Sequence, residues 1–261
     1  MRVFRSVVLA VVAAVSLGLA SAGAVADGVY RGAPPVERYA YVPFSWRGFY
    51  VGLHAGYGWG DGDHAITGSP FWATGPDGSG AFAQDLSGRV VGGHAGYNFT
   101  SGPFVFGAEA SISGGGLGEN GTITPFFPAS DRWAVEVDWY ATLTGRIGYA
   151  FDRVLIYAKG GYAGGEIDSR VADSVFAFAG ACTAGTCKAG ASEWHHGWTA
   201  GGGLEYAVLR NLVLGIEYNY VDLGSATHAT ATSGTAGTVF LSESVDIQFQ
   251  TITARLTFKL N

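Results

Sequence analysis

WRGFYVGLHAGYGWG, residues Trp46–Gly60, alternates without a break. Phe49, Val51, Leu53, Ala55, Tyr57 and Trp59 fall on one side, and Tyr50, Gly52, His54, Gly56, Gly58 and Gly60 on the other. A period of two residues is that of an extended strand. The polarity is the reverse of a soluble strand, because the bulky apolar groups form a continuous band and the opposite side is mostly glycine. A barrel closed in lipid produces this pattern, with large groups against acyl chains and small or polar ones facing a narrow interior.

The pattern recurs along the chain. Gly88–Phe99 places Val91, Ala95, Tyr97 and Phe99 outward, and Phe104–Ser113 does the same with Phe106, Ala108, Ala110 and Ile112. Trp133–Tyr149 is the longest clean alternation, with Val135, Val137, Trp139, Leu143 and Ile147 outward and Glu136, Asp138, Tyr140, Thr142 and Arg146 inward. Val154–Gly165, Trp194–Ala207, Leu212–Asp222 and Asp246–Leu260 complete the set, with Ile247 and Phe249 breaking the parity of the last and suggesting a bulge or a segment above the lipid. Eight strands of roughly 10–14 residues can each cross a bilayer when tilted. Their connections alternate long and short, as in outer-membrane barrels with brief periplasmic turns and extended outside loops. Thr227–Thr232 and Thr238–Glu243 can lengthen the last two strands as a hairpin beyond the membrane. The expected fold is therefore all-β, an eight-stranded antiparallel transmembrane barrel with four long outside loops. Closure follows because lipid offers no hydrogen bonds to a bare strand edge.

Composition agrees. The 261 residues include 42 Gly, one Met and only three Lys, and charged residues are 14% against about 25% in soluble domains. A net charge of −6 and no basic patch argue against nucleic acid as a partner. Residues 1–26 read as a secretory signal, with Arg2 and Arg5, the apolar run Val7–Leu19, and small residues ending at Ala24-Val25-Ala26. Residues 27–45, with Pro34, Pro35 and Pro43, read as an extended periplasmic lead-in to a barrel over 46–261.

The segments SWRGFYVGLHAGYGWG, FVFGAEAS, LIYAKGGYA, VLGIEYNYVDLG and TARLTFKL resemble the small outer-membrane β-barrel proteins of alphaproteobacteria, labelled porin-family or outer-membrane immunogenic proteins. The resemblance covers the mature chain, including its Pro-rich lead-in. It implies an eight-stranded barrel in the bacterial outer membrane and carries no catalytic residues with it. The closing Leu260-Asn261 departs from the family's usual aromatic end, which puts in doubt how well the assembly machinery recognises it.

Candidate functional residues fall into three groups. The inward charges Glu109, Glu136, Asp138, Arg146, Lys159, Glu205, Glu217 and Arg255 carry both signs, so ion pairs across the interior are expected. They form either a packed polar plug, the favoured reading for a barrel this narrow, or an ion path. Trp46, Tyr57, Trp59, Tyr97, Trp133, Tyr149, Trp194, Tyr206 and Tyr220 lie near strand ends, where amphipathic rings anchor at lipid interfaces. Cys182 and Cys187 sit close together in an exported chain and are expected to form a small disulfide. Metal binding with His195 and His196 is the weaker alternative, because the spacing matches no zinc pattern. Ser192, Glu193, His195 and His196 could seat a nucleophile and base at the outer rim, but a polar strand entry explains them more simply.

The sequence thus points to a non-enzymatic outer-membrane protein without cofactor, structural and surface-directed. Its expected partners are outer-membrane lipid and lipopolysaccharide, the barrel-assembly machinery, and host or phage contacts at its loops. A narrow pore and a lipid-A-modifying enzyme are the alternatives.

Overall fold

The computed structural model describes residues 43–67, 81–118, 131–173, 187–234 and 237–260. The secretory leader, most of the lead-in and Cys182 lie outside the described residues, as does the side chain of Cys187. Eight strands follow one another: β1 Gly48–Thr67, β2 Ala81–Ser101, β3 Phe104–Gly118, β4 Asp131–Phe151, β5 Val154–Asp173, β6 Cys187–Ala207, β7 Leu212–Gly234 and β8 Gly237–Leu260. Each pairs antiparallel with the next, and β8 pairs with β1 to close the barrel. Three connections at one end are tight, and two of them need a left-handed residue, Gly102 at φ 59° and Asp152 at φ 51°. The β7–β8 hairpin runs out to the pair Gly234–Gly237, as the threonine-rich pattern suggests.

On the outer surface one band is strongly apolar. It spans Phe49–Tyr57, Val91–Phe99, Phe104–Ile112, Leu143–Phe151, Ile156–Tyr162, Trp198–Tyr206, Leu214–Tyr218 and Ile252–Leu260, with Leu53 as much as 67% exposed. About nine tilted residues per strand is the height of a hydrocarbon layer, so these are the membrane-spanning segments.

Strands continue well past this band at the end with long connections. The stretches 61–67, 81–87, 114–118, 166–173, 187–193, 223–234 and 237–245, expected as loop or uncertain extension, are strand. They escape a search for outward-facing apolar residues because beyond the lipid the preference inverts. There Leu86, Val90, Leu117, Val135, Val137, Ile167, Leu223, Val245, Ile247 and Phe249 pack inside the barrel.

Two strands handle that inversion differently. In β8 all odd residues from Val245 to Lys259 face inward, so Ile247 and Phe249 break no geometric parity and no bulge is needed; only the chemistry changes. In β4 the register against β5 shifts between Val137 and Trp139. The bulge turns Val135 and Val137 inward and leaves Asp138 on the exposed outer surface. The long alternation Trp133–Tyr149 is therefore two strand segments of opposite facing joined at Asp138.

Candidate functional site

The interior of the membrane-spanning part is a single polar network. Glu109 on β3 is its hub. Its Oε1 accepts from Lys159 Nζ at 3.0 Å and Arg255 at 3.1 Å, and its Oε2 accepts from Tyr50 Oη at 2.9 Å and Arg255 at 2.5 Å. Glu217 on β7 accepts from Lys159 Nζ at 2.8 Å, from Tyr157 Oη at 2.5 Å and from Arg255. Glu205 on β6 takes Arg146 at 2.9 Å, and the Arg146 guanidinium also lies over the Tyr157 ring at 4.1 Å. All six charged groups are buried. Three carboxylates meet three cations here, so the cluster is formally neutral. That balance is what makes burial tolerable, since an ion stripped of water without a partner costs several kcal/mol.

Two histidines extend the network to β2. His54 Nδ1 and His94 Nδ1 lie 3.3 Å apart, His54 Nε2 is 2.9 Å from Ser113 Oγ, and His94 Nε2 is 2.9 Å from Thr257 Oγ1. The register pairs Gly52 with His94 and His54 with Gly92. A Cβ at Gly52 would lie 2.5 Å from the His94 ring, and one at Gly92 would lie 2.5 Å from the His54 ring. Each imidazole thus lies over the other strand's glycine. The signal was present in the sequence as Gly52-Leu53-His54 and Gly92-Gly93-His94, two glycine–x–histidine triplets on successive strands.

The cluster is capped on both sides by apolar side chains. Toward the long connections stands the layer of Leu86, Val137, Ile247 and Phe249 with their neighbours. Toward the tight turns Trp46, Val105, Leu155, Tyr157, Ala207 and Val213 pack together, with Phe44 and Ala150 against them. Between these layers a cavity of about 20 Å³ opens among His54, His94, Glu109, Lys159, Glu217 and Arg255. That is room for about one water.

Several expected site residues fall elsewhere. Glu136 and Asp138 belong to no part of the network, because the β4 bulge turns them from the interior. Trp46 is no interface anchor: it is 3% exposed, and its Nε1 donates to the Asp152 carbonyl at 2.9 Å. Phe44 N donates to Asp152 Oδ1 at 3.2 Å and Lys259 Nζ donates to the Ser45 carbonyl, so residues 44–46 fold across the mouth at the tight-turn end. Such a strap has no alternating pattern to reveal it.

Tyr97, Tyr149 and Tyr206 lie on the outer surface near the tight turns, with Tyr97 packed edge-on between Phe49 and Phe99. Tyr57, Trp59, Trp194 and Tyr220 stand near the opposite edge of the apolar band, where Tyr220 Oη donates to Gln248 at 2.8 Å. The side chain of Trp133 lies outside the described residues. Ser192 faces outward and donates to Glu166 Oε1 at 2.8 Å, whereas His195 is buried inside and His196 faces outward against Tyr162 Oη at 2.6 Å. Ser192 and His195 therefore lie on opposite faces of the wall and form no nucleophile–base pair. Among the described residues no group of three or more His, Cys, Asp or Glu converges as a metal site.

Residues 8–259 match the family model described as outer membrane protein beta-barrel domain. The 31 kDa outer-membrane immunogenic protein of Brucella melitensis is 33% identical over 84% of this chain and 88% of its own length. The 22 kDa outer membrane protein of Rhizobium leguminosarum bv. viciae is 27% identical over 69% of this chain and 66% of its own. Among solved structures, Neisserial surface protein A covers 81% of this chain and 97% of its own at 12% identity, with a TM-score of 0.39.

Proposed function

The chain belongs to the outer membrane protein β-barrel family, and from that premise we propose that it is a sealed, non-enzymatic barrel that strengthens the outer membrane and displays its outer end at the cell surface. The observation that carries this is the neutral charge cluster. It draws on Glu109, Arg146, Lys159, Glu205, Glu217 and Arg255 from six strands, Tyr50 brings in β1, and His94 on β2 lines the same small cavity. A hydrated ion crossing the barrel would have to separate paired, buried charges and pass an apolar layer on either side. The length of strand beyond the apolar band supports the display role, as does the word immunogenic in the names of the Brucella relatives. Its partners, on this reading, are outer-membrane lipid and lipopolysaccharide around the band, the assembly machinery during insertion, and host or phage surfaces at the outer end.

Purified barrel in planar lipid bilayers is expected to give no regular conductance steps at neutral pH. Steady, voltage-independent channels of uniform size would overturn the sealed reading. Biotinylation of intact cells tests display separately, with label expected on the outer end.

A further inference from the structure

The β6–β7 seam differs from the two seams that flank it. β5 and β6 are laddered from Val154–Tyr206 out to Asp173–Cys187, and β7 and β8 out to Gly234–Gly237. The β6–β7 ladder, by contrast, stops at Trp198–Asp222. Beyond it both strands continue, each laddered only to its other neighbour. The cause lies in the local sequence Asp222-Leu223-Gly224. Asp222 Oδ1 accepts from Gly224 N at 2.8 Å, Gly224 takes φ 64°, and the β7–β8 register shifts between Asp222 and Ser225. This kink ends the β6–β7 ladder just above the apolar band, although Gly197 still packs against Leu223 and Gly224 against His196.

A pair of histidines joins β6 to β7 where the ladder has ended. His195 on β6 directs Nδ1 at the Gly224 carbonyl, 3.3 Å away, and Nε2 at His228 Nε2 on β7, 2.9 Å away. Both rings are buried. Because Gly224 offers only an acceptor, His195 donates from Nδ1, which leaves Nε2 to accept from His228. This arrangement needs a neutral His195. Protonation of His195 would remove the acceptor at Nε2 and leave two N–H groups facing each other in a buried space.

We propose that His195 and His228 form an acid-sensitive latch, and that acidification parts β6 from β7 beyond the membrane, opening the side of the outer barrel onto its apolar core. Burial holds the His195 imidazole below its ordinary value, and the neighbouring His228 pushes it the same way. The Gly224 carbonyl opposes burial more strongly than His228 assists it, and Asp246 on β8 and Glu193 on its own strand oppose it less, so burial prevails. The other titratable groups near the seam are Asp222, occupied at Gly224 N, His64, buried on the inner face of β1, and Glu243 on β8, which pairs with His228 in the register and whose side chain lies outside the described residues. From β5 the facing residues are Gly165, Ile167 and Ser169, which do not titrate in this range. The sign follows from linkage. A histidine that is neutral when latched and ordinary when released stabilises the latch above about pH 6.5, and that stabilisation drains away as pH falls.

The test is a spin-label distance across the seam in the full barrel in lipid, in a Cys182→Ser, Cys187→Ser background. Labels at Ser192→Cys and Thr227→Cys, both outward-facing, read the β6–β7 gap, and labels at Thr227→Cys and Ser244→Cys, paired across β7–β8, serve as control. Between pH 8 and pH 4.5 the first distance is expected to lengthen with a midpoint below about 6.5, and the control to stay constant. His195→Gln with His228→Gln should flatten the response. An unchanged wild-type distance overturns the latch, and so does an equal lengthening in the glutamine variant. Should that variant fail to fold, histidine ¹⁵N spectra of the wild type decide: the ionisation of His195 must coincide with the lengthening, and separate midpoints refute it.

Discussion

The lower and upper halves of this barrel are built on the same eight strands and are chemically inside out with respect to each other. On β8 the lower half puts Ile252, Ala254, Leu256, Phe258 and Leu260 outside, with Thr253, Arg255, Thr257 and Lys259 inside. The upper half puts Asp246, Gln248 and Gln250 outside and Val245, Ile247 and Phe249 inside. The backbone does not change; the solvent does. Where hydrocarbon surrounds the wall, charged groups persist only in an enclosed interior that pairs each with an opposite charge. Where water surrounds it, the interior can be an ordinary apolar core stabilised at about 25 cal/mol per Å² removed from water.

If the halves differ in this way, substitutions at equivalent inward positions should fail for different reasons. The largest effect is expected in the lower half. Glu109→Gln leaves three cations facing two carboxylates in a buried space and should cost about 3–5 kcal/mol in urea unfolding of the lipid-refolded protein. Phe249→Ala in the upper half should cost about 3 kcal/mol through a cavity left beside Tyr140, without altering net charge or salt sensitivity. Lowering the pH should separate the halves further. The upper half should loosen below about pH 6.5 as His195 takes up a proton, seen as faster amide exchange in residues 187–195 and 223–234 while the spanning segments stay protected. The smallest effect is expected at Asp138. It faces water on the β4 bulge, so Asp138→Asn should change stability by no more than about 0.5 kcal/mol; a loss comparable to that of Glu109→Gln would return it to the charge cluster.

Much of the lower half was legible in the sequence. Alternation with glycine inside and bulk outside gave the strand count, the closed barrel and six of the network's charged residues, because a narrow interior in lipid leaves few other uses for Glu109 or Arg255. The upper half was not. Its strands carry the opposite polarity, so Leu117, Ile167 and Leu223 looked like unpatterned loop. On β4 the bulge concealed the change altogether: Val135 and Val137 follow the same parity as Leu143 and Ile147 in sequence, yet face the other way. A register shift of one residue is invisible to a period-two reading. Trp46 was misplaced for a different reason, since an aromatic beside a strand start reads as an interface anchor whether or not the chain folds back beneath the barrel.

The inversion itself can be read directly along β8. Single nitroxides at the even positions 244 to 260 of the lipid-reconstituted protein would be scored for collision with oxygen, which concentrates in hydrocarbon, and with a water-soluble nickel chelate. Positions 252 to 260 should favour oxygen and 244 to 250 the nickel reagent, with the crossover between Gln250 and Ile252. Nickel access at Leu256 or Phe258, or a uniform response along the whole strand, would show that lipid does not cover the lower wall and that the two halves are not the inverse of each other.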